Sequence, residues 1–194
     1  MNSRARVHLY LFSDEEERNG VRADARVFRC ARDFLQAQGK TNVELPEIHA
    51  PNHEKPRFSV DIGVHFSVSH SGKYWGCAVC KQPIGLDIQH KSSKRQEGVA
   101  KRFFHPDEHQ YLAQNDFNGF FDVWTAKESY VKYTGQGIDD AFSAFSVVRN
   151  GQVCAEVRGA CLRFIPLALE YCVCLCAKDL CGVGITVLLD PNQG

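Results

Sequence analysis

The sequence predicts an α+β fold in which short strands flank a helical middle. Short apolar or alternating runs dominate residues 7–12 and 64–88, a helical period governs residues 99–133, and strand-like runs return after residue 142. In chain order, residues 7–12 (VHLYLF) read as a strand, and the acidic residues 14–17 open a turn or helix. Residues 23–38 contain no Gly or Pro, and Val27, Ala31, Phe34 and Leu35 mark one apolar helical face. Gly39 is the expected stop. Pro46, Pro51 and Pro56 make residues 41–57 an irregular connection.

Strands are expected at 64–68, 74–80 and 84–88, punctuated by Ser71-Gly72 and Gln82-Pro83. Two helices follow at 99–104 and 107–113, separated by Pro106, which suits a first helical turn. Residues 120–133 form the strongest helical pattern, ended by Gly135-Gln-Gly137. Beyond it, residues 142–149 and 153–157 make a hairpin turning at Asn150-Gly151. Strands at 162–169, 171–177 and 183–189 complete an all-strand tail, and no repeat or low-complexity segment interrupts the order.

Composition narrows the partners. Of 194 residues 44% are hydrophobic and 24% charged, an ordinary globular balance. Lys plus Arg and Asp plus Glu number 23 each, so bulk charge gives no argument for nucleic-acid or anionic-membrane binding. An anionic ligand must be held by a local cluster. Neither a secretory signal nor a membrane span is expected. The nine cysteines include the alternating Cys172, Cys174 and Cys176, which would share one face of a strand. They read as buried free thiols rather than zinc ligands, and the odd count points to a reducing compartment, the cytoplasm.

Several residues could carry chemistry. Glu128 and Lys132 are four apart and project from one helical face. The ordinary reading is a surface ion pair worth a few tenths of a kcal/mol, about 0.2–0.5. The same spacing offers a carboxylate to a divalent ion and an ammonium to a neighbouring phosphate. Asp87 lies near the end of an apolar strand run, with Gln89 on the same face, and Gly85 permits a close approach. Magnesium takes hard oxygen ligands, commonly one or two carboxylates plus substrate phosphates, a demand that Asp87 and Glu128 would meet if the fold joined them. His70, flanked by serines before a glycine turn, could bind a phosphate; Lys55 and Arg26 are further cations.

Taken in order, Lys55-Pro56, Phe66-Ser-Val-Ser-His-Ser-Gly72, Ile84-Gly-Leu-Asp-Ile88, Arg102-Phe-Phe-His-Pro-Asp-Glu108 and Trp124-Thr-Ala-Lys-Glu-Ser-Tyr-Val-Lys132 resemble the Sfp-type 4′-phosphopantetheinyl transferases. Gly135-Gln-Gly137 matches the family's extension, and the resemblance runs from about residue 55 to 138. It implies a pseudo-dimer of two similar halves, residues 1–90 and 91–194, each a small antiparallel sheet with a packed helix. Coenzyme A would lie between the halves. By resemblance, Asp87 and Glu128 hold magnesium, with Gln89 standing where many members have an acidic residue. Lys132 takes a pyrophosphate oxygen, and Lys55, Pro56, Ser69 and His70 belong to the coenzyme-binding segments. Arg26 is matched to an N-terminal helix arginine near the 3′-phosphoadenosine.

The implied reaction is attack by a serine of an apo acyl- or peptidyl-carrier protein on the β-phosphate of coenzyme A, releasing adenosine 3′,5′-bisphosphate. Glu128, Glu108 or a metal-bound water is the candidate proton acceptor. The architecture implies a monomer. Two other classes fit parts of the pattern: a module that grips coenzyme A or a carrier without turnover, which Gln89 favours, and a magnesium-dependent pyrophosphate hydrolase.

Overall fold

A computed structural model describes residues 6–13, 23–50, 55–92, 96–136, 142–180 and 184–189. Within them the fold is mixed α+β. The acidic residues 14–17, Gly137, Ile138 and Cys181 lie outside the described residues. The N-terminal part runs β1 (Arg6–Ser13), α1 (Ala23–Gln36), β2 (Ile48–His49), β3 (Arg57–Phe58), β4 (His65–Ser71), β5 (Tyr74–Cys80) and β6 (Ile84–His90). Three helices follow: α2 (Gln96–Phe103), α3 (Pro106–Ala113) and α4 (Phe120–Thr134). The tail holds β7 (Val148–Arg149), β8 (Gln152–Val153), β9 (Glu156–Val157), β10 (Ala160–Phe164), β11 (Tyr171–Ala177) and β12 (Gly184–Leu189).

Two four-stranded sheets form, in the orders β12-β1-β5-β4 and β6-β11-β10-β9. Three apolar layers explain their stacking. Val27, Ala31, Phe34 and Leu35 of α1 pack with Phe66, Trp75 and Val79 on the outer face of the first sheet. Val7, Leu9 and Leu11 meet Ile84, Leu86, Ile88, Val173 and Leu175 between the sheets. Val123, Ala126, Tyr130 and Val131 of α4 share a third cluster with Leu162, Cys174 and Cys176 of the second sheet. The order is therefore helix, sheet, sheet, helix. Among the described residues no helix is long and apolar enough to cross a membrane.

The sheets do not divide at residue 90. β6, the last strand of the expected first half, pairs with β11, placing Asp87 opposite Cys174. β12 returns to lie parallel to β1, with Val187 opposite Leu9. The first sheet is therefore mixed rather than antiparallel. β6 changes sheets because its apolar side chains fill the layer between them while both of its edges find partners. On one edge is β11. On the other, the hydroxyls of Ser67, Ser69 and Ser71 of β4 accept the N–H groups of Leu86, Ile88 and His90 at 3.0, 3.1 and 2.9 Å. Three side chains do the work of a backbone ladder, and this seam joins the two sheets.

Two expected strands are cut short. Only Val148 and Arg149 of the run 142–149 are extended into a ladder, turning at Asn150 and Gly151, both with positive φ. Ahead of them the backbone bonds to side chains instead: Val147 N–H donates to Glu108 and the Phe145 carbonyl accepts from Lys127. The strand expected at 162–169 ends at Phe164, before Pro166, which lacks a ladder donor. The cysteine-rich strand β11 is buried along its whole length, because α4 covers one face and the inter-sheet layer the other.

Candidate active site

The site forms where α4 crosses β6. Gly85 allows the approach: a Cβ there would collide with the Ser129 carbonyl oxygen and sit 2.5 Å from the Tyr133 nitrogen. Strand alternation then turns Asp87 and Gln89 away from the layer holding Leu86 and Ile88. From α4, Glu128 and Lys132 approach from one helical face.

Asp87 is buried, 1% exposed, and both its oxygens are engaged. Lys132 Nζ lies 2.7 Å from Oδ1, and the Ser69 hydroxyl donates to the same oxygen at 2.9 Å. Gln89 Nε2 donates to Oδ2 at 3.1 Å. Lys132 also donates to Ser69 Oγ at 3.1 Å. Glu128 is 6% exposed, and its pKa is raised to about 7, first by burial and then by the charge of Asp87; Lys132 opposes both. Two carboxylates thus share a poorly solvated place with one ammonium. A divalent cation would relieve that excess of negative charge. Among the described residues no group of three or more His, Cys, Asp or Glu side chains gathers as a metal cluster, so phosphate and water oxygens would have to complete the shell.

Gln89 is close to the expected metal position, but in this geometry its amide donates to Asp87 and orients that carboxylate. Ser69 was expected to touch the coenzyme; its hydroxyl is spent inside the protein. His70 sits exposed at the far end of β4, free to meet an anion. Lys55 is elsewhere. Its ammonium donates to the Ile84 carbonyl at the start of β6, and burial lowers its pKa to about 8. With Pro56 it lines a cleft of about 480 Å³ shared with Tyr133, Thr134 and Gly135 at the end of α4.

Arg26 is 1% exposed and lies 4.5 Å from the Trp75 ring centroid. Among the described residues its buried Nε and Nη1 have no hydrogen-bond partner. Such orphaned donors are costly and are what an anionic group would satisfy.

Glu108 is corrected from candidate base to internal strut. It is fully buried, and Lys127 Nζ lies 2.9 and 3.1 Å from its two oxygens. The N–H groups of His105 and Val147 donate to it at 2.9 and 2.7 Å. The His105 bond also completes a capping box at the start of α3. No lone pair faces an incoming serine. Lys127 is equally buried, donates to Phe145 O at 2.6 Å and lies over the rings of Phe145 and Phe142. The sequence marked Lys127 as one of the charges on this helix but gave it no role. The signal was its place midway between Val123 and Val131, four residues from each on a buried face.

The β11 cysteines are free and buried. Burial raises the pKa of Cys172 and Cys176 and pushes Cys174 up to about 12, so each stays a neutral, small apolar group.

Residues 83–176, which carry Asp87, Glu128 and Lys132, match the sequence model of the 4′-phosphopantetheinyl transferase superfamily. Over that segment the chain is similar to that superfamily. A 4′-phosphopantetheinyl transferase of Bacillus subtilis is 34% identical over 141 residues, 66% of this chain and 62% of the relative. The transferase gsp of Aneurinibacillus migulanus is 38% identical over 95 residues, 47% of this chain and 40% of the relative. The transferase Sfp of Bacillus subtilis strain 168 is 38% identical over 99 residues, 48% of this chain and 44% of the relative. The chain therefore spans 40–62% of the length of these 4′-phosphopantetheinyl transferases.

Proposed function

We propose that this chain transfers the 4′-phosphopantetheine arm of coenzyme A to a serine of an apo acyl- or peptidyl-carrier protein, with magnesium, and releases adenosine 3′,5′-bisphosphate. The observation that carries the reading is the buried Asp87–Lys132 pair beside Glu128 at the junction of the two sheets. Two sheets, each backed by a helix, support a monomeric pseudo-dimer with the coenzyme held between its halves. The cysteine content favours the cytoplasm as the place of action.

Asp87 and Glu128 would hold magnesium, which would neutralise charge on the diphosphate during transfer. Lys132 moves its ammonium from Asp87 to a diphosphate oxygen. The Glu128 carboxylate would take the proton of the carrier serine. The serine oxygen bonds to the β-phosphorus, and the bond from that phosphorus to the bridging oxygen of the nucleotide breaks. His70 and the orphaned donors of Arg26 supply further contacts for the coenzyme's phosphates.

Chromatography tests the reading by following adenosine 3′,5′-bisphosphate with and without an apo carrier. Release in step with carrier consumption is expected. Free phosphopantetheine formed without a carrier would indicate a hydrolase instead, and no release in either case would indicate a binding module.

A further inference from the structure

We propose that Ser69 is a positioning residue of the cation site, tying the seam between the sheets to the carboxylate of Asp87 and the ammonium of Lys132. The inference rests on the reading of Asp87 as a magnesium ligand.

Ser67, Ser69 and Ser71 alternate on β4 and therefore face the same way. Each accepts one N–H from β6, at 3.0 Å from Leu86, 3.1 Å from Ile88 and 2.9 Å from His90. In that respect the three are equivalent parts of the seam. Only the middle hydroxyl, among these three, also reaches the site: it donates to Asp87 Oδ1 at 2.9 Å and accepts from Lys132 Nζ at 3.1 Å. A serine hydroxyl has one proton and two lone pairs, and all are used. Ser69 therefore acts on the coenzyme through its neighbours, not by touching it.

The arrangement fixes three things at once. The β6 backbone carries Asp87, the Ile88 N–H sets the depth of that strand against β4, and the Ser69 proton sets the rotation of the carboxylate. Gln89 anchors only the other oxygen. Without the serine hydroxyl, Oδ1 keeps Lys132 alone, and the carboxylate is free to turn with the ammonium. The cation would then meet a ligand whose orientation must be restored at its own expense.

Ser67 and Ser71 supply internal controls. Alanine at 67, 69 or 71 removes one seam acceptor each, so all three variants are expected to lose a similar few degrees of thermal stability. Manganese, a spectroscopic stand-in for magnesium, would be titrated against each metal-free protein with coenzyme A present and followed by electron paramagnetic resonance. Ser69→Ala is expected to weaken manganese binding about tenfold or more, Ser67→Ala and Ser71→Ala to leave it within about twofold, and Ser69→Thr to recover most of it. Wild-type affinity in Ser69→Ala, or equal weakening in all three alanine variants, would overturn the proposal. Undiminished binding in Asp87→Ala would overturn the metal reading itself, and this proposal with it.

Discussion

The ammonium of Lys132 lies 2.7 Å from Oδ1 of Asp87, although 45 residues separate them in the chain. It rests on an oxygen that a cation would use, so the two compete until a diphosphate offers the lysine another partner. Metal and coenzyme should then bind synergistically. Replacing Lys132 with Gln should tighten manganese binding in the absence of coenzyme A by about tenfold, some 1.4 kcal/mol, and abolish most of the enhancement that coenzyme A gives the wild type. Lys91→Gln, which removes a charge just beyond β6, controls for the general field. Equal effects of the two substitutions would refute direct competition.

Glu128 should make the metal-free protein pH-sensitive in an unusual direction. Its pKa of about 7 stands above the ordinary carboxyl value of 4.5. Between these values the folded state binds a proton that the unfolded chain does not, so stability falls as pH rises through the window. Above it the full cost, about 3 kcal/mol, is present. In a chelating buffer, Glu128→Gln should raise Tm by several degrees at pH 8 and change it little at pH 4.5. It should also abolish transfer. An unchanged Tm at pH 8 would place the carboxylate in a better-solvated setting than the structure gives it.

The buried Glu108–Lys127 pair predicts a stability effect distinct from chemistry. Lys127→Met leaves a buried carboxylate without its counter-ion and should cost about 3–5 kcal/mol in denaturant unfolding, while Glu108→Leu with Lys127→Met should recover much of the loss. Glu108→Gln keeps the shape of the side chain. Below its lowered Tm, its transfer should show the same pH profile as the wild type. A pH profile that loses an ionisation in that variant would restore Glu108 as the base.

How much of this was legible in the sequence depends on which residues partner side chains rather than backbone. Helix α4 was expected at 120–133 and forms at Phe120–Thr134, because a run without Gly or Pro ends at Gly135, which adopts the left-handed conformation such a stop requires. The Asn150-Gly151 hairpin was equally local. Asp87, Glu128 and Lys132 could be named from their order among motifs, but their union depends on Gly85, whose missing side chain admits α4. The truncation of the strand at 142–149 was invisible, since the partners that replace its ladder, Glu108 and Lys127, lie on two different helices. Ser69 gave only a weak signal, an alternation of serines with apolar residues. That pattern marks a shared face and says nothing about what the face meets.

The most direct measurement is the intact mass of an apo carrier protein after incubation with this chain, coenzyme A and magnesium. The carrier is expected to gain one phosphopantetheine with the wild type and none with Asp87→Ala. Carriers of several types left unmodified by the wild type, or a near-normal gain with Asp87→Ala, would contradict it.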